Sequence, residues 1–81
     1  MNNASTIPMT ARDAYRYARD VIKGRWHEGE ATIATDPACA YYYARDVIKS
    51  RWPEGEAVIA TDSRWDDYYQ EFLTSLGEPH E

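Results

Sequence analysis

The sequence has one cysteine, one phenylalanine and two histidines among its 81 residues. It also has no apolar run of the length, about 18 residues, that a membrane helix needs. The single Cys39 excludes an internal disulfide, so we expect a reducing, cytoplasmic location. His27 and His80 are too few and too dispersed for a metal site, and residues 1–8 lack the pattern of a secretory signal.

Motifs for chemistry are equally scarce. The chain contains no glycine-rich phosphate loop and no nucleophile motif, and a domain of this size offers little depth for a pocket. The acid pairs Glu28/Glu30 and Glu54/Glu56 recur with an internal repeat, and we interpret them as helix N-terminal residues rather than catalytic acids. We therefore expect no enzyme activity, no cofactor and no metal.

What the chain does have is aromatic and acidic residues. Seven tyrosines and three tryptophans bring the aromatic share to 14%, and the formal net charge is −5. Residues 1–51 carry eight basic and six acidic side chains, whereas residues 52–81 carry one basic and eight acidic. An acidic half repels nucleic-acid phosphates and attracts basic protein surfaces, although such charge also serves solubility alone.

The strongest signal is a tandem repeat. Residues 10–35 and 36–61 align without a gap and are identical at 18 of 26 positions. The apolar residues of each copy recur at i, i+3, i+4, i+7 and i+8, which predicts one buried helix face. These residues are Ala14, Tyr17, Ala18, Val21 and Ile22, and then Ala40, Tyr43, Ala44, Val47 and Ile48. Each copy is predicted to form two helices, the first of them ending near Gly24 in the first copy.

Residues 62–76 restart the pattern with larger side chains, and Gly77 is a predicted helix end. We predict an all-α, α-solenoid-like array of five helices in a single domain: a lead-in (1–9), two helix-pair units (10–35 and 36–61), a capping helix (62–76) and a tail (77–81).

The motif Tyr-Ala-Arg-Asp-Val-Ile-Lys-Gly/Ser-Arg-Trp-Pro/His-Glu-Gly-Glu, preceded in the second copy by Asp-Pro-x-x-Ala-Tyr-x-Tyr, resembles a short tandem repeat of uncharacterised proteins from bacteriophages, prophages and bacteria. The resemblance covers residues 10–61 and extends weakly over 62–70. It implies an all-helical repeat protein of mobile-element origin in a bacterial cytoplasm. By analogy, small acidic phage proteins are often inhibitors of host defence, anti-CRISPR proteins among them.

Arginine and aspartate recur at equivalent positions, as Arg19-Asp20 and Arg45-Asp46. We expect ion pairs between the arginine of one unit and the aspartate of the next, with a partner or phosphate site as the alternative. Trp26 and Trp52 come before the second helix of each unit and are predicted to cover the gap between the helices of that unit.

The candidate partner-binding residues are a tyrosine that replaces Arg16 of the first copy and four acids of the last helix: Tyr42, Asp62, Asp66, Asp67 and Glu71. The alternatives are a ring lying against the neighbouring helix and an acidic face that is merely solvated. The sequence predicts a non-enzymatic protein-binding module, an inhibitor that occludes a basic and nucleic-acid-binding surface of a host protein. A self-assembling structural repeat protein, in the form of a homodimer or larger, is the second hypothesis.

Overall fold

The computed structural model describes residues 9–77, and within that range it is all-helical, without a strand. Two of the five helices change to π-helical geometry partway along. The helices are α1 (Ala11–Tyr17, continued as a π-helix over Ala18–Ile22), α2 (His27–Ile33), α3 (Pro37–Tyr42, continued as a π-helix over Tyr43–Ile48), α4 (Pro53–Ile59) and α5 (Ser63–Ser75). The predicted all-α class is confirmed.

The first helix of each unit begins at a side-chain cap. Thr10 accepts a hydrogen bond from the backbone N–H of Asp13, and Asp36 accepts one from that of Cys39. Asp62 caps α5 in the same way, through the backbone N–H of Arg64. These side chains satisfy N–H groups that have no partner within the helix, and they set where each helix starts.

The first helix of each unit ends at a lysine rather than at a glycine. Lys23 and Lys49 adopt left-handed conformations, with φ of 61° and 62°, and each backbone N–H bonds the carbonyl five residues earlier. The prediction that Gly24 ends the helix is therefore wrong by one position. Because the same geometry recurs in both copies, the π segment belongs to the unit itself.

The two copies bury their predicted apolar faces to different extents. In the second copy Tyr43 and Ala44 are fully buried and Val47 is half-buried. In the first copy the corresponding Tyr17 and Val21 are 37% and 61% exposed. The prediction holds for Ala14 and Ala18, which are fully buried. It is wrong for Tyr17, Val21 and Ile22, because no described element packs on that side of α1.

Trp26 and Trp52 each lie against the second helix of their own unit at a glycine. A Cβ placed on Gly55 would clash with the Trp52 ring, and one placed on Gly29 would clash with the Trp26 ring. Trp52 is fully buried, so the indole fills the space between the two helices of its unit, as predicted. The absence of a side chain at these glycines allows that contact.

Candidate functional site

The arginine–aspartate pairs form within units. Arg19 donates two hydrogen bonds to Asp20, and Arg45 donates two to Asp46, at 2.7–3.2 Å. The expectation that an arginine reaches the aspartate of the next unit is therefore wrong. The link between units is made by Tyr15, whose hydroxyl donates to Asp46 at 2.7 Å and accepts from Arg19 at 3.3 Å. The neighbouring arginine bonds both carboxylate oxygens of Asp46, and the tyrosine hydroxyl adds a further bond to Oδ2.

A second link joins α2 to the next unit. The hydroxyl of Tyr43 donates to Glu30 at 2.7 Å and accepts from the backbone N–H of Trp26 at 2.8 Å, while Arg25 holds Glu30. The same set of contacts recurs 26 residues later. The hydroxyl of Tyr69 donates to Glu56 and accepts from the backbone N–H of Trp52, while Arg51 donates to Glu56. This repeated hydroxyl–carboxylate link holds α3 on α2 and α5 on α4.

The electrostatics of these links favour the charged carboxylates. Burial on its own would raise the pKa of Glu30, but hydrogen bonds from Arg25 and Tyr43 outweigh it and hold that pKa below its usual value. The same balance lowers the pKa of Glu56 and of Asp46. Burial also raises the pKa of Tyr43 to about 12, so its hydroxyl stays a donor at neutral pH. The links are therefore intact near neutral pH.

The predicted acidic residues share α5 but differ in how far they are engaged. Asp62 caps the helix and lies 3.7 Å from the Arg64 guanidinium, and Asp66 accepts a long 3.4 Å bond from Gln70. Asp67 and Glu71 are exposed, and neither forms an ion pair with a described residue. These two side chains leave an uncompensated negative charge on the surface of α5.

Tyr42 lies within a group of aromatic rings rather than projecting alone into solvent. Its ring is half-buried, 6.1 Å from that of Tyr15 and 5.5 Å from that of Trp65, edge-on to the latter, and the Arg45 guanidinium lies over it. Tyr68 continues the group and is 46% exposed. The structure thus places a partly exposed aromatic cluster beside the acidic residues of α5.

Cys39 and His27 are not placed for catalysis or metal binding among the described residues. Burial raises the pKa of the Cys39 thiol to about 11, which keeps it protonated and a poor nucleophile at neutral pH. His27 is exposed, 3.7 Å from Glu30. Within residues 9–77 no three His, Cys, Asp or Glu side chains are grouped as metal ligands, and no helix there is long and apolar enough to cross a membrane.

Sequence reasoning missed the tyrosine–glutamate links, since it assigned Glu30 and Glu56 only to helix N-termini. A signal for them was present. Tyr43 and Tyr69 each follow one of these glutamates by 13 residues, and this pairing survives into α5, where most of the motif is lost. The partial exposure of Tyr68 has no counterpart in the sequence pattern.

When the chain is compared with protein-family models, with curated proteins and with solved structures, it matches none of them. The fold and the site define an all-helical protein in which two similar helix pairs are joined by tyrosine–carboxylate links.

Proposed function

We propose that this chain is a non-enzymatic protein-binding module that covers a basic surface of a partner protein. The partner is a host defence protein in the bacterial cytoplasm and the chain is its phage-encoded inhibitor, as the resemblance of the repeat and the analogy with small acidic phage proteins suggest. The surface of α5 and the aromatic cluster beside it form the contact.

The observation that carries this proposal is the pairing of uncompensated charge with partly exposed rings. Asp67 and Glu71 have no cationic partner among the described residues, and Tyr68 is 46% exposed on the same helix. Charge attracts a basic partner and raises the rate of encounter, whereas burying aromatic rings supplies most of the affinity at typical interfaces. The half-buried Trp65 packs against the exposed Tyr68 ring and is itself packed against Tyr42.

The mechanism is occlusion. A basic surface that binds nucleic acid presents lysines and arginines at a spacing that matches phosphates, and exposed carboxylates on a helix compete for the same side chains. Because each exposed charge is screened by salt, the association rate falls as ionic strength rises. The links between the units keep α5 fixed, which limits the ordering cost of binding.

The test is a capture experiment from bacterial lysate with two charge-matched variants. Asp67→Lys/Glu71→Lys reverses the proposed contact, while Glu28→Lys/Glu54→Lys reverses two exposed acids on α2 and α4. We expect the first variant to lose the captured protein and the second to keep it, with circular dichroism showing both folded. Equal capture by both variants, or an association rate independent of salt, would refute the proposal.

A second candidate function is self-assembly, and the exposed side of α1 favours it. Tyr17, Val21 and Ile22 are 37%, 61% and 41% exposed there, an apolar surface that assembly would cover. Sedimentation analysis separates the two: a discrete dimer or larger species supports self-assembly, whereas a monomer at all concentrations supports a foreign partner.

A further inference from the structure

The exposed side of α1, which we call the open end face, consists of Tyr17, Asp20, Val21 and Ile22. Its chemistry is known from within the chain, because the same four residue types recur in the second unit as Tyr43, Asp46, Val47 and Ile48. There the face is covered by the first unit, and Tyr43 is fully buried. The chain therefore contains both an occupied and an open copy of one surface.

The occupied copy shows which groups the open one is missing. Tyr43 is held by a glutamate and by the backbone N–H of a tryptophan, and Asp46 accepts from a tyrosine hydroxyl. On the open end face, Tyr17 and Asp20 have no such partners among the described residues. The Asp20 side chain is 55% exposed against 29% for Asp46.

We propose that the open end face is a docking surface for one more helix-pair unit, carried by a partner chain. The groups that the unit must supply follow from the occupied copy. It needs an Arg-Trp-x-Glu-Gly-Glu segment, in which the last glutamate accepts a hydrogen bond from the Tyr17 hydroxyl and the tryptophan backbone N–H donates one to it. It also needs an isoleucine like Ile33 for the apolar centre and a tyrosine that donates to Asp20.

A second copy of this chain does not offer that surface. Its own Glu30 already binds Tyr43, and its Glu56 binds Tyr69 of α5, so both surfaces of the required kind are covered. A unit that docks through these hydrogen bonds therefore comes from a different chain, one whose last helix-pair unit lacks a covering helix such as α5. The inference goes beyond the proposed function, because it uses the opposite end of the chain from α5.

The test extends the full-length chain by one unit. A second copy of residues 10–35 is inserted between Met9 and Thr10, and urea unfolding is measured with and without Tyr17→Phe. In the extended chain Tyr17 should occupy the environment of Tyr43, so we expect the substitution to lower the folding equilibrium constant about tenfold, and less than twofold in the original chain. Tyr41→Phe is the control, with the same effect in both.

Several results would overturn the docking proposal. One is a Tyr17→Phe effect that is equally small in both chains, and another is separate unfolding of the added unit at low urea. A dimer of the original chain that Val21→Asp dissociates would assign the face to a second copy. Hydrogen exchange at Val21 that accelerates when residues 1–8 are deleted would assign it to that segment. We expect Asp67→Lys/Glu71→Lys to leave the Tyr17→Phe effect, the unfolding of the added unit, the dimer formation and the hydrogen exchange at Val21 unchanged. This proposal and the proposed function can therefore fail independently.

Discussion

The hydroxyl of Tyr15 lies 2.7 Å from a carboxylate oxygen of Asp46, thirty-one residues later and in the next unit. Asp46 is at the same time held by its neighbour Arg45, so one carboxylate joins the two units. The equivalent link cannot form again, because the position thirty-one residues after Tyr41 is Phe72. The replacement of the aspartate by Phe72 at this position therefore distinguishes α5 from the first helices of the two units.

This difference gives a matched pair of substitutions. Tyr15→Phe removes a hydrogen bond to a charged acceptor, and we expect it to lower the free energy of unfolding by about 1–2 kcal/mol. Tyr41→Phe removes only a long 3.4 Å bond from Arg45, so its cost should be smaller. Urea unfolding of the two variants measures the comparison, and equal costs would contradict the role given to Asp46.

A glycine that contacts a tryptophan ring and a glycine in open space provide a second pair of substitutions. In Gly55→Ala the new methyl group meets the buried Trp52 ring, and we expect a loss of about 1–3 kcal/mol in the free energy of unfolding. Gly24→Ala places its methyl group in open space, at a residue without a positive φ, and should be neutral. Thermal unfolding reports both. A neutral Gly55→Ala would mean that the indole does not lie against that helix.

The carboxylates of the links predict an acid dependence. The folded pKa of Glu30 and that of Glu56 lie below the ordinary value of 4.5, so the unfolded chain binds protons first as the pH falls. The contribution of these two glutamates to stability is complete above a pH of about 4.5, and it is lost as the pH falls through their lower pKa values in the folded chain. Urea midpoints between pH 7 and pH 3 should show this decline. It should be weaker in Tyr43→Phe, which lacks the hydroxyl that lowers the pKa of Glu30, and a slope unaffected by that substitution would count against the link.

Much of the fold follows from local sequence. The 26-residue repeat, the i, i+3, i+4 spacing and the caps at Asp36 and Asp62 are enough to place five helices near their observed positions. The left-handed Lys23 and Lys49 escaped prediction, because glycine is the usual residue there and Gly24 is adjacent. The exposure of Val21 also escaped it, since periodicity shows that a face is apolar but not whether anything covers it.

The candidate site was less predictable, because it depends on contacts between units. Asp20 and Asp46 are identical in sequence context, yet only Asp46 has a tyrosine from a preceding unit to bind. Tyr42 departs from the repeat and is therefore conspicuous in the sequence, but its packing against Trp65 depends on how α5 lies on α3. Its role in partner binding, and those of Asp62, Asp66, Asp67 and Glu71, stay predictions.

The central structural claim is that one tyrosine position is bound in the second unit and open in the first. Tyr43→Phe leaves the backbone N–H of Trp26 without its acceptor and removes one of the donors to Glu30, and should cost about 1–3 kcal/mol. Tyr17→Phe removes a hydroxyl that bonds no described group. Urea unfolding of these two variants side by side is the most direct measurement: we predict a clear loss for Tyr43→Phe and almost none for Tyr17→Phe, and equal effects would contradict the account.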